Sequence, residues 1–138
     1  MKRYVADTVA IVRYFEDALP PKGDAAFREA EEGNAEIFVP EIVTGEFIYI
    51  AMKNRIKTDR TETMSIIREL LDEIESSSYL KPIKMSSISW NCFLESPVLE
   101  LHDRIIHSIA LSLEKTGYEV SIITSDSSLK SVFARTIW

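Results

Sequence analysis

The sequence predicts a three-layer α/β fold, with a central, mainly parallel sheet of four or five strands and helices on both faces. Three observations lead there. Short apolar runs of strand length are separated by longer stretches with apolar residues at helical spacing. The two kinds of segment alternate along the whole chain, which calls for right-handed crossovers and a parallel sheet. Two strand-like runs end in an aspartate followed by a hydroxyl residue, Asp7-Thr8 and Asp126-Ser127. Open α/β sheets carry their sites beyond such carboxyl ends, where strand order reverses.

The elements follow in order. Arg3 to Ala6 reads as a buried strand, and Thr8 to Asp17 as a helix stopped by Leu19-Pro20-Pro21-Lys22-Gly23. Asp24 is placed to cap a second helix running to Glu32, with Gly33-Asn34 as its stop. Glu36 to Val39 is a strand ended by Pro40, and a helix runs from Glu41 to Asn54. Thr58 or Asp59 caps a fourth helix, with Met64, Ile67, Leu70, Leu71 and Ile74 on one face. Tyr79 to Lys84 is a strand, and Pro82 within it puts it at a sheet edge. Ser86 to Phe93 reads as a short helix, and Asp103 opens a longer one ending at Gly117. Val120 to Ile123 is a strand, Ser127 to Phe133 a short helix, and Arg135 to Trp138 a last strand.

A chain of 138 residues is long enough for one domain with a real core. The single cysteine, Cys92, cannot form an internal disulfide, and no Cys/His cluster suggests structural zinc. The charged N-terminus that enters a strand at once is not a signal peptide. The most apolar stretch, Ala35 to Met52, contains Glu36, Pro40, Glu41 and Glu46, so no membrane span is expected and a reducing cytoplasm is the simplest compartment. A net charge of −6 argues against a protein that coats nucleic acid. It is compatible with an enzyme whose acidic charge surrounds cations.

Four acidic residues stand out. Asp7 and Asp126 are either helix N-caps or, if their strands are neighbours, two carboxylates facing one crevice. Glu46 has Ile42, Val43, Tyr49 and Ile50 as its helical neighbours, which places a carboxylate on an apolar face. Such a group needs a metal, a cation such as Lys53, or a shifted pKa. Asp103, at a helix start, is an N-cap or a ligand. Together the four suit a hard cation bound by oxygen and still carrying water, such as magnesium or manganese. The chain has no phosphate-binding or dinucleotide glycine loop and no nucleophile elbow.

Four motifs in order carry a family resemblance: Val5-Ala6-Asp7-Thr8-Val9-Ala10, Val39-Pro40-Glu41-Ile42-Val43-Thr44-Gly45-Glu46, Leu101-His102-Asp103-Arg104-Ile105-Ile106 and Ile123-Thr124-Ser125-Asp126. They resemble PIN domains over the whole chain, nearest to VapC-like toxins and their free-standing prokaryotic relatives. The resemblance implies a magnesium- or manganese-dependent endoribonuclease. It implies Asp7, Glu46 and Asp103 as metal ligands, directly or through water, and Asp126 as a ligand or an anchor behind them. Thr124 and Thr8 would hydrogen-bond within the cluster. Family members often form homodimers, and the toxins bind an antitoxin that covers the active site. His107 and Ser108 depart from the small apolar residues usual at those places; His107 is expected to be packed or at a rim, and His102 to lie in a loop.

Lys53, Arg55, Lys57 and Arg60 form the one dense basic run, either a path for RNA phosphates or a solvated helix end. Arg13 and Arg104 are equally placed as phosphate contacts. Trp90 and Phe93 are expected to adjoin the apolar face of the fourth helix. One rival function is a catalytically silent PIN-like domain acting as an RNA- or protein-binding module. Others are a phosphatase, which calls for a second aspartate where Val9 stands, and a response-regulator-like domain, which calls for a paired acid and a late strand-end lysine.

Overall fold

The structure, a computed structural model, describes residues 1–58 and 62–138. Five strands, β1 (Lys2–Ala6), β2 (Ala35–Pro40), β3 (Leu80–Ile83), β4 (Val120–Ile123) and β5 (Thr136–Ile137), form one all-parallel sheet in the order β3-β2-β1-β4-β5. The chain steps outward from β1 to β3, then returns to the other side of β1. The order therefore reverses between β1 and β4, at the carboxyl ends that carry Asp7 and Thr124. Central strands in such a sheet are buried on both faces and read as apolar throughout. Val5, Ala6, Ile122 and Ile123 are fully buried accordingly. β3 is an edge strand, and Pro82 is tolerated there because its missing N–H interrupts no ladder on the open side.

The helices are α1 (Thr8–Phe15), α2 (Pro21–Glu31), α3 (Glu41–Met52), α4 (Thr63–Ser76), α5 (Trp90–Glu95), α6 (Leu101–Lys115) and α7 (Ser127–Val132). Right-handed crossovers put α1 to α4 over one face and α5 to α7 over the other. Helices α2 and α3 pack on β2 and α4 on β3, whereas α6 packs on β1 and β4. Phe27, Phe47 and Leu70 fill one side of the sheet, Ile106 and Ile109 the other. Each such side chain contributes about 1.5–3 kcal/mol by leaving water. No helix among the described residues is long and apolar enough to cross a membrane.

Several boundaries differ from the sequence reading, each for a local reason. α2 begins at Pro21, not after Asp24: proline at the first helical position sacrifices an N–H that has no partner anyway. Asp24 instead pairs with Arg28 one turn on, at 2.9 Å. Asn54, at φ 53°, turns the chain out of helix beyond α3. α4 starts at Thr63 behind Glu62, so Thr58 is not its cap; Asp59, like Arg60 of the basic run, lies outside the described residues. Its buried stripe is Ile66, Ile67 and Leu70, while Met64 and Leu71 are exposed. The Ser86–Phe93 segment is a 3₁₀ turn (Met85–Ser87) followed by α5, which Ser89 caps at Cys92 N. α5 lies on α6, and Trp90 projects into solvent at 66% exposure, so no Trp90 contact completes the α4 face.

Candidate metal site at the strand-order reversal

β1 ends at Ala6, paired with Ile123 of β4. The next residues, Asp7 and Thr124, therefore emerge side by side. Thr124 Oγ1 donates to Asp7 Oδ2, and Asp126 N donates to Thr124 Oγ1 at 2.9 Å. Asp7 Oδ1 accepts from Ala10 N at 2.8 Å, and Asp126 Oδ1 from Leu129 N at 3.0 Å. Both aspartates are thus N-caps, of α1 and α7, and both also line one pocket. A carboxylate has lone pairs enough for both uses, so the two readings do not compete.

That pocket, of about 250 Å³, is lined by Asp7, Thr8, Val9, Glu46, Ile50, His102, Asp103, Ser125 and Asp126. Glu46 reaches it from the second turn of α3, which starts directly where β2 ends. The buried stripe of α3 is Val43, Phe47 and Ala51, with Tyr49 on the outside at 59% exposure. Glu46 sits on the flank of that stripe, its side chain 41% exposed. The buried carboxylate expected among Ile42 and Tyr49 is therefore a rim carboxylate. No ion pair with Lys53 holds it; that ammonium lies over the Tyr49 ring, 4.2 Å from its centroid. Glu46 Oε2 instead accepts from Thr8 Oγ1 at 3.1 Å.

Asp103 comes from the first turn of α6, two residues further into the helix than its expected start. The cap is Glu100, which accepts from His102 N at 3.1 Å and Asp103 N at 2.8 Å. Glutamate is not a favoured N-cap, which is why the pattern hid this boundary. The early start turns His102 from a loop residue into a helical one aimed at the pocket. Its Nε2 is 3.1 Å from Glu46 Oε1 and 3.1 Å from Thr8 Oγ1, and its Nδ1 is 3.2 Å from Asp103 Oδ1. His102 was missed as a site residue. The available signal was its adjacency to Asp103 in a first turn, where both side chains overhang the strand ends.

The electrostatics follow burial. Asp7 is only 4% exposed. Burial pushes its carboxyl up to about 6, against the hydrogen bonds from Thr124 and Ala10 N and the neighbouring His102. Asp103 is also raised, first by burial and then by the charges of Asp126 and Glu100, with His102 opposing.

The other candidates fall in three places. Arg13 and Arg55, with Lys57, line an adjacent open groove of about 250 Å³ that shares Val9 and Ile50 with the acidic pocket. Lys53 is not part of its lining. Arg104 is spent within the fold: its guanidinium donates to the carbonyls of Phe93 (2.8 Å), Val98 (2.9 Å) and Leu94 (3.3 Å). It ties α6 to the end of α5 and to the loop between them, so its guanidinium serves the fold. His107 is a packed histidine, 2.7 Å from Ser96 Oγ and edge-on to Phe133, with its pKa pushed down by burial.

No family model and no curated protein matches the sequence. Among solved structures, the chain is similar to one in the crystal structure of VapBC2 from Rickettsia felis bound to a DNA fragment from their promoter. The TM-score is 0.60 over 99% of this chain and 97% of that one, at 16% sequence identity. A likeness at that identity is one of fold: the all-parallel α/β arrangement is PIN-like, as the four sequence motifs imply.

Proposed function

We propose that this PIN-like chain is a metal-dependent endoribonuclease that hydrolyses RNA phosphodiester bonds, and that it is the toxin of a toxin–antitoxin pair. The observation that carries the reading is the convergence of Asp7, Glu46, Asp103 and Asp126, from four separate elements, on one open pocket at the strand-order reversal. The donor set fits a divalent ion. It is rich in carboxylate oxygen, suits magnesium or manganese, and includes a buried carboxyl, Asp7, that only a nearby cation would hold fully ionised at lower pH.

Asp7, Glu46 and Asp103 would hold the ion, with Asp126 beside them. Bound there, a divalent cation supplies positive charge to a scissile phosphate and lowers the pKa of an attacking water. The protein's own residues prepare the place. Thr124 fixes the Asp7 carboxylate from below, Thr8 orients Glu46, and Glu100 fixes the first turn that carries Asp103. Arg13, Arg55 and Lys57 in the adjoining groove would take the phosphates flanking the cleaved bond, drawing RNA to a chain of net charge −6. The chain would act as a homodimer, as the family resemblance implies, and be silenced by an antitoxin, a partner that the VapBC2 likeness also supports.

The test is cleavage of single-stranded RNA with magnesium or manganese, abolished by chelator. Asp7→Asn and Asp103→Asn should lose activity by a factor on the order of a thousand while remaining folded. Metal-independent cleavage, or equal cleavage by Asp7→Asn, overturns the reading. RNA binding without any cleavage by the wild type points to the silent-module alternative.

A further inference from the structure

We propose that His102 is itself a ligand of the metal, and that its imidazole biases the pocket toward first-row transition ions such as manganese or cobalt over magnesium. This rests on the reading of the pocket as a carboxylate metal site.

The first argument is spacing. Ligand atoms at adjacent positions of an octahedral ion with bonds of about 2.1 Å stand about 3 Å apart. His102 Nε2 and Glu46 Oε1 are 3.1 Å apart. Two side chains from α6 and α3 thus already present a nitrogen and an oxygen at the separation a shared ion requires.

The second is orientation. Nδ1 faces Asp103 Oδ1 at 3.2 Å. With the proton on Nδ1 donated to that carboxylate, the lone pair lies on Nε2, beside Glu46 and Thr8. Metal-binding histidines characteristically donate their other ring N–H to a carboxylate in this way, which fixes the ring and raises its basicity. An ion bound there would accept the Nε2 lone pair while the proton stays on Nδ1.

The third is anchorage. The two backbone N–H groups bonded to Glu100 belong to His102 and Asp103. The His102 side chain is 18% exposed, so its ring is largely ordered before a ligand arrives. A nitrogen donor raises affinity along the series from manganese through cobalt to nickel, whereas magnesium demands oxygen and gives up water reluctantly.

Electron spin-echo spectroscopy of the full chain loaded with manganese tests this without reference to activity. The chain has two histidines, and His107 is buried against Ser96 and absent from the pocket lining. The expected spectrum shows imidazole nitrogen coupling to the bound ion, lost in His102→Gln. In titrations, His102→Gln should weaken manganese and cobalt by roughly tenfold or more while leaving magnesium within about twofold. Manganese bound to the wild type with no nitrogen coupling overturns the assignment of His102 and leaves the carboxylate site standing. Failure of the wild type to bind manganese at all removes the carboxylate site, and His102 with it. The wild-type spectrum decides between these even if the variant fails to fold.

Discussion

On the strand-end wall of the pocket, Asp7 is 4% exposed, capped on one oxygen by Ala10 N and held on the other by Thr124. On the helix-borne wall, the Glu46 side chain is 41% exposed and its position depends on Thr8 and on a histidine from a different helix. The first wall is made by strand register and is buried before any ligand arrives. The second is assembled from two helices whose starts are set elsewhere. The contrast teaches that charge and position are separable in this pocket: the buried wall carries the electrostatic cost, and the open wall carries the adjustable geometry.

The largest expected effect is on the buried wall. Asp7 is raised from 3.8 to about 6 by burial. The native state therefore binds that proton more tightly than the unfolded chain does. Metal-free stability falls as pH rises from about 4 to about 6 and levels off above, by about 3 kcal/mol at 1.36 kcal/mol per unit. Asp103 shifts in the same direction. Asp7→Asn should flatten most of this slope and be the more stable protein at pH 7 without metal. Denaturant titrations from pH 4 to 7 measure it, and a variant that melts below the wild type at pH 7 would remove the electrostatic distinction between the walls.

Next comes the clamp behind the open wall. Arg104→Ala should cost about 2 kcal/mol, because two carbonyls at the end of α5 and one in the loop entering α6 lose a charged donor. Arg104→Lys should not restore it, since an ammonium lacks the planar fork. A phosphate-contact role for Arg104 predicts unchanged unfolding and weaker RNA binding instead.

The groove effects are smaller. Arg13→Ala and Arg55→Ala should each weaken RNA binding by about three- to tenfold and reduce the salt dependence by about one counterion. Lys53→Ala, with its ammonium over Tyr49 rather than in the groove, should change neither. Binding isotherms at two or more salt concentrations separate them.

The smallest effect sharpens the comparison most. Glu46→Gln in metal-free protein should alter stability by no more than about 0.5 kcal/mol, as suits a rim carboxylate. Its metal-induced stabilisation should shrink well below the about 2.7 kcal/mol expected for a hundredfold excess over Kd. A loss of several kcal/mol without metal would mean that Glu46 belongs with the buried wall after all.

What was legible in the sequence was what is local. The strands at Tyr4 to Ala6 and Val120 to Ile123 announce themselves because both faces of a central parallel strand are apolar. Asp7 and Asp126 were visible because each follows such a run directly, and Pro82 marked an edge because the missing N–H excludes the interior. The start of α6 was not legible, because Glu100 is an atypical cap. Arg104 read as a phosphate contact, because nothing in its neighbourhood of sequence reveals three carbonyls waiting for it.

The sequence alone therefore determined the α/β alternation and the parallel sheet and marked the four carboxylates as candidates, since periodicity and strand-end chemistry are properties of adjacent residues. Only the tertiary structure decided that Glu46 is a rim group, that Arg104 is a clamp, and that His102 stands between Glu46 and Asp103. Those depend on distances between α3 and α6, elements from opposite faces of the sheet that meet only above its strand ends. No spacing along the chain encodes that meeting; the order in which the strands pair does.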